Sequence, residues 1–180
     1  MCNIIVTEGE TMDDLQNRIK LKQDQLKEIV RSAISAFNDK EKYLIENDLS
    51  ERCICARFAM YLEDALRNTD YCNFVVDVEY NRGAMGKERG TKKLDAHPIT
   101  VDLIVHKRAK DPMTGFQNLV CMEMKKSTDR RGCVDDINRL TKLCCMDYSF
   151  CYTIGFMLLI NMTSNCIEIK ETILLKFDEE

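Results

Sequence analysis

The sequence predicts an α/β protein, with a mixed central sheet carrying helices on its faces. Three observations predict it. Apolar residues recur at helical spacing over residues 11–37, 50–67 and 134–146. Runs alternating with period two lie over residues 73–80, 101–106 and 118–126. Tyr152 to Ile160 is almost continuously apolar, the composition of a strand buried on both faces.

Residues 1–10 read as a short extended piece. A long amphipathic helix follows, opened by Thr11 and Asp14 in a capping box and ended near Asn38-Asp39. Its stripe is Met12, Leu15, Ile19, Leu26, Ile29, Ala33 and Phe37, a face for packing on the domain or on a second copy. We therefore divide the chain into an N-terminal helical extension, residues 1–43, and an α/β core, residues 44–180. Ser50 caps the second helix, which runs to about Arg67 on the stripe Ile54, Phe58, Leu62 and Ala65. Glu51 falls in the middle of that stripe. Either its charge complements the helix N-terminus or it points into a cleft as a functional acid; beside the strand acids described below, the second reading is preferred.

Asn73–Tyr80 reads as the first strand, followed by a glycine-rich, cationic loop. The glycine spacing in that loop is wrong for a dinucleotide or phosphate-loop motif. Val101–His106 and Asn118–Lys126 are the next two strands. The turn chemistry of Asp111-Pro112 and Thr114-Gly115 lies between them. Gly132 precedes a helix over about Val134–Met146, with Val134, Ile137, Leu140 and Cys144 inward and with Asp135 and Asp136 complementing its dipole. After the buried strand, Thr163-Ser164-Asn165 turns the chain into a last strand or helix, Cys166–Phe177.

The two middle strands carry the chemistry. Alternation puts Val101, Leu103 and Val105 on one face and Asp102 on the other; on the next strand Glu123 and Lys125 share a face. With both apolar faces turned to the core, Asp102, Glu123 and Lys125 meet on one surface. Two carboxylates and an ammonium there suit a divalent metal and a water to be activated. Glu-x-Lys alone is weak, since Glu168-Ile169-Lys170 also fits it; the specificity lies in the constellation with Asp102 and Glu51. His106 reads as a structural or substrate-contacting residue and Lys126 as facing away from the site. Asp77 and Glu79 share a strand face that either approaches the cleft or stays a solvated edge, the second reading being preferred.

At 180 residues with 45% hydrophobic and 31% charged residues, the chain has a globular rather than a disordered composition. No apolar run reaches membrane-span length and the start lacks a secretory layout, so we expect a cytoplasmic protein with no membrane association. The ten cysteines include no Cys-x-x-Cys pair, and only two histidines accompany them, which argues against zinc and for buried, reduced thiols. The net charge of −4 excludes indiscriminate polyanion binding. Between Arg82 and Lys110, however, eight Lys or Arg face three acids. Arg82, Lys87, Arg89, Lys92 and Lys93 are therefore candidates for holding nucleic-acid phosphates beside the acids.

On Ser50-Glu51-Arg52, Asp77-Val78-Glu79-Tyr80-Asn81-Arg82, Val101-Asp102-Leu103-Ile104-Val105-His106 and Glu123-Met124-Lys125-Lys126, the chain resembles the PD-(D/E)xK nuclease superfamily, most closely its small stand-alone bacterial members. The resemblance covers about residues 44 to 170. It departs from the family pattern at Val101, where a proline is usual. The resemblance implies a restriction-endonuclease-like αβββαβ core with an extra N-terminal helix. It implies Mg²⁺ or Mn²⁺ on Asp102, Glu123 and the Met124 carbonyl, with Glu51 contributing directly or through water, and Lys125 aiding hydrolysis of a phosphodiester, DNA being the expected substrate. DNA repair and defence against foreign DNA are the expected settings. A catalytically idle nuclease-like module that binds nucleic acid or a partner protein is the alternative. A further one is an assembly protein forming a homodimer or larger complex through the Thr11–Phe37 helix.

Overall fold

The structure is a computed structural model and describes residues 9–81, 93–95, 97–108, 117–129, 132–146 and 150–175. Helix α1 (Met12–Lys40) is opened by the Thr11 capping box, in which Asp14 N donates to Thr11 Oγ1 at 3.2 Å and Thr11 N donates to Asp14 Oδ2 at 3.1 Å. A short helix α2 (Lys42–Glu46) leads to α3 (Glu51–Leu66). Five strands then build one sheet, β1 (Val75–Tyr80), β4 (Val101–His106), β5 (Asn118–Lys126), β6 (Ile154–Asn161) and β7 (Cys166–Leu174), in that spatial order. Within the cationic segment expected as an open loop, β2 (Lys93–Leu94) and β3 (His97–Pro98) form a small hairpin.

All neighbours in the sheet are antiparallel except β5 and β6, which run parallel. A parallel pair needs a crossover, and α4 (Cys133–Leu143) supplies it. The architecture is α/β, a mixed five-stranded sheet with helices on both faces. The last element is a strand, and β5 and β6 are buried along most of their length.

The larger core lies between one sheet face and helices α1 and α3. Leu26, Val30, Phe37, Phe58 and Leu62 meet Leu103, Val105, Met122 and Met124 there. Phe37 and Phe58 stack edge to face at 5.9 Å. The apolar stripe of α1 is thus consumed inside the chain rather than left for a second copy. Met12, expected in that stripe, lies in the first turn and is 61% exposed. Two polar residues of α1 also serve the sheet. Gln23 Nε2 donates to the Thr153 carbonyl at 3.1 Å. Asn38 Nδ2 donates to the Ile167 carbonyl at 2.9 Å, and Ile167 N donates back to Asn38 Oδ1 at 2.7 Å, so one side chain satisfies both main-chain groups of an edge-strand residue.

The smaller core packs α4 on the opposite face through Leu140, Leu143 and Cys144 against Ile104, Cys121, Tyr152 and Met157. Val101 belongs to this core rather than joining Leu103 and Val105 on the other face, so strict alternation fails at the start of β4. Val134, expected inward, is 71% exposed. The buried positions of α4 are Cys133, Asp136, Leu140 and Leu143, because an acid, and not the valine, is turned toward the sheet.

The thiols are less uniform than expected. Cys55, Cys121, Cys133 and Cys144 are buried and free, Cys53 and Cys72 are exposed, and Cys151 is disulfide-bonded.

The rotated face of α4 is testable. Leu140→Ala is expected to cost about 2–5 kcal/mol and Val134→Lys less than about 0.5 kcal/mol, both read by urea denaturation; equal costs would contradict this orientation.

Candidate functional site

The site forms where two strands part. The last ladder pair between β4 and β5 is Leu103 opposite Met122. On its other edge β5 stays paired with β6 as far as Lys126. Two main-chain donors on the β4 side thereby lose a strand partner, and a main-chain N–H in such a place needs an acceptor. Met124 N donates to Asp102 Oδ2 at 2.9 Å, and Lys126 N donates to Glu51 Oε1 at 3.1 Å. Glu51 is the first residue of α3, and its N-cap Ser50 accepts from Cys53 N at 3.2 Å. The helix start that favours a carboxylate through its dipole also delivers that carboxylate to the sheet.

A cleft of 530 Å³ opens at this edge, and Glu51, Arg52, Cys55, Glu79, Asp102 and Lys126 are among the residues that line it. Glu79 holds a positive φ of 51° at the end of β1 and pairs with Arg52. That backbone conformation is unusual for a residue with a side chain. Lys126 reaches Asp48 at 2.6 Å. Its side chain points away from Lys125, as alternation predicts, and this places it in the cleft beside Glu51 and Asp102. The Cys55 thiol is pushed far up, first by burial and then by the charges of Asp102, Glu123, Glu51 and Glu79. These four acids therefore act on one buried atom.

Glu123 and Lys125 face α4. Glu123 is 3% exposed, and Arg139 Nε donates to its Oε1 at 2.7 Å. The same guanidinium bonds Asp136 Oδ1. Lys125 Nζ lies 3.6 Å from Asp136 Oδ2, an ion pair beyond hydrogen-bond reach. Burial pushes the Glu123 carboxyl up to about 8, the charge of Asp102 adds to this, and Arg139 opposes it. Burial alone would lower Lys125, but Asp136, Glu51, Asp102 and Glu123 hold its ammonium above the ordinary value.

The structure thus sets Glu51, Asp102, Glu123 and Lys125 in one electrostatic field while dividing their contacts. Glu51 and Asp102 hydrogen-bond β5 and line the cleft; Glu123 and Lys125 pair with α4. Among the described residues, no three His, Cys, Asp or Glu side chains are gathered as a ready metal cage. The donor set itself, carboxylates at Asp102, Glu123 and Glu51 with the Met124 carbonyl, is made of the hard oxygens that Mg²⁺ takes. The charge of Asp102 helps to push the Glu123 carboxyl up, and crowded negative charge of this kind is what a divalent cation relieves.

Asp136 and Arg139 are the residues the sequence reasoning missed. Asp136, expected to need no role beyond the helix dipole, is 5% exposed, and its Oδ2 has no hydrogen bond among the described residues. Asp135 beside it is exposed in the first turn of α4. An Asp-x-x-Arg spacing reads as a surface pair on a helix; only the turn of α4 toward the sheet makes it internal. Asp77 also departs from the solvated edge expected of it. It bonds His106 Nε2 at 2.8 Å and accepts from Arg108 Nε at 2.9 Å, and the Arg108 bond is the first cause holding its carboxyl below the usual range. His106 is buried against the Tyr80 ring at 4.5 Å, a structural placement. Of the basic candidates, Lys93 is exposed on β2, and Arg82, Lys87, Arg89 and Lys92 lie outside the described residues. Among the described residues no helix is long and apolar enough to cross a membrane.

Compared with known proteins, the chain matches no family model, no curated protein and no solved structure.

Glu123 sets a pH dependence. The unfolded carboxyl titrates near 4.5 and the folded one near 8, so between these values the folded chain holds the extra proton. Stability therefore falls as pH rises through this window. In chelator-containing buffer, the melting temperature of the wild-type chain is expected to drop more between about pH 5 and about pH 8 than that of Glu123→Gln. Parallel curves would remove Glu123 as the cause.

Proposed function

We propose that the chain is a divalent-cation-dependent nuclease that hydrolyses nucleic-acid phosphodiesters, DNA by preference, on a restriction-endonuclease-like core of the PD-(D/E)xK kind. The observation that carries this reading is the parting of β4 from β5. It brings acids from residues 51 and 102 to the strand edge that also holds Glu123 and Lys125.

Asp102, Glu123 and the Met124 carbonyl would hold the cation, with Glu51 beside them. Bound there, Mg²⁺ or Mn²⁺ would supply positive charge for the phosphate and ease deprotonation of the attacking water. The chain's own groups account for the remaining steps. Lys125, half-buried and held fully charged by its acidic neighbours, would orient the water and stabilise the charge growing on the phosphoryl oxygens. The water oxygen would bond phosphorus as the P–O bond to the leaving ester oxygen breaks, the water giving a proton to bulk solvent and the leaving oxygen taking one from it. Arg52 and Lys126, on the cleft wall, would meet the flanking phosphates. A DNA-repair or defence role follows from the same reading.

The Arg139–Glu123 pair favours a second reading, an idle nuclease-fold module that binds nucleic acid without cutting it.

Cleavage of plasmid, linear and single-stranded DNA, with RNA alongside, separates the two. The nuclease reading expects Mg²⁺- or Mn²⁺-dependent product that falls at least about 100-fold in Asp102→Asn, Glu123→Ala and Lys125→Ala. Retention of DNA without cation-dependent product would establish the idle module instead.

A further inference from the structure

Glu123 is the buried acid of the site, and a cationic side chain of the protein already holds it. Arg139 Nε lies 2.7 Å from Glu123 Oε1, while another of its nitrogens bonds Asp136 Oδ1. One guanidinium therefore bridges an acid of β5 and an acid of α4. Among the described residues, the second oxygen of Asp136, whose side chain is 7% exposed, has no hydrogen bond, and the Lys125 ammonium stands 3.6 Å from it.

A buried carboxylate oxygen left without a donor is destabilising. Here it lies on the residue that already bonds the guanidinium. Arg139 can therefore give up Glu123 and take both oxygens of Asp136 in the two-pronged geometry arginine forms with carboxylates. The hydrogen bond released at Glu123 is replaced by one formed at Asp136 Oδ2. The acids of the site are meanwhile not gathered as a cage among the described residues, as expected while Glu123 is engaged by Arg139.

We propose that Arg139 is a built-in counter-ion that competes with a divalent cation for Glu123, and that Asp136 is the place to which it retreats. The proposal rests on reading this strand edge as a cation site, and it makes Arg139 and Asp136 positioning residues that set when Glu123 becomes available. A merely structural ion pair would weaken cation binding when broken, through loosened packing. A competitor would strengthen it.

Calorimetric titration of Mn²⁺ into the full chain tests this with wild type, Arg139→Gln, Asp136→Asn and the double variant. Arg139→Gln is expected to tighten Mn²⁺ binding about tenfold, the scale of one modest ion pair. Asp136→Asn is expected to weaken it several-fold. In the double variant the Asp136 effect should vanish, because the acid acts through the arginine; a simple charge effect would instead be additive. Arg139→Lys, which keeps the charge but loses the fork, is expected to fall between wild type and Arg139→Gln and serves if the glutamine variant does not fold by circular dichroism.

Unchanged or weaker Mn²⁺ binding in the Arg139 variants, or additivity in the double variant, overturns the proposal. Glu123-dependent DNA cleavage with unchanged Mn²⁺ affinity in Arg139→Gln would sink this inference alone. The expected Mn²⁺ pattern without cleavage of any nucleic acid would sink only the nuclease reading.

Discussion

The unequal reach of two neighbouring strands is the constraint from which the candidate site follows. β5 continues past its last pairing with β4, and main-chain donors at Met124 and Lys126 must still be satisfied. A third strand residue would do this without chemistry. Carboxylates do it here, and each keeps acceptor capacity after the bond to β5. Sheet closure and the collection of acids are therefore one event. The contact from Glu51 also fixes the start of α3 on the sheet, so packing of that helix and placement of its acid are set together.

An acidic strand edge beside a core needs compensation, and the chain supplies it from two directions. On the cleft side Arg52 pairs with Glu79 and Lys126 with Asp48. On the other side Arg139 bridges Glu123 and Asp136, and Lys125 stands near Asp136. These two arrangements differ physically. The outer pairs are largely solvated on at least one partner and are worth little. The inner set is mostly removed from water, so its charges act on one another strongly. The raised carboxyl of Glu123 reflects that inner environment.

Most of this fold could be read from residues that repeat with a period. The apolar stripes of α1 and α3 and the alternation of β1, β4 and β5 are local patterns, and each element lies where its pattern put it. Glu51 was legible because an acid in an apolar stripe is an anomaly within a single helix turn. Asp102, Glu123 and Lys125 were legible as types on plausible strands; the parting of β4 from β5 was not, because no local pattern records where a ladder stops. α4 was misread for a related reason. Val134 and Asp136 compete for the inward position, and hydrophobicity alone favours the valine. Lys125 and Arg139 decide for the aspartate, and a partner on another element leaves no trace in helical periodicity. The role of Asp77 was hidden likewise, since its partners His106 and Arg108 lie at and just past the end of the neighbouring strand.

Asn38 carries a consequence for how copies of this chain behave together. β7 is a border strand, and such borders invite foreign strands to dock and fibrils to grow. By meeting both the N–H and the carbonyl of Ile167, the Asn38 amide imitates the residue an incoming strand would present. Helix α1 thereby works as a stopper on the open margin of the sheet. A chain that lost this helix would shed part of its core and, in the same stroke, uncover a template for its own polymerisation.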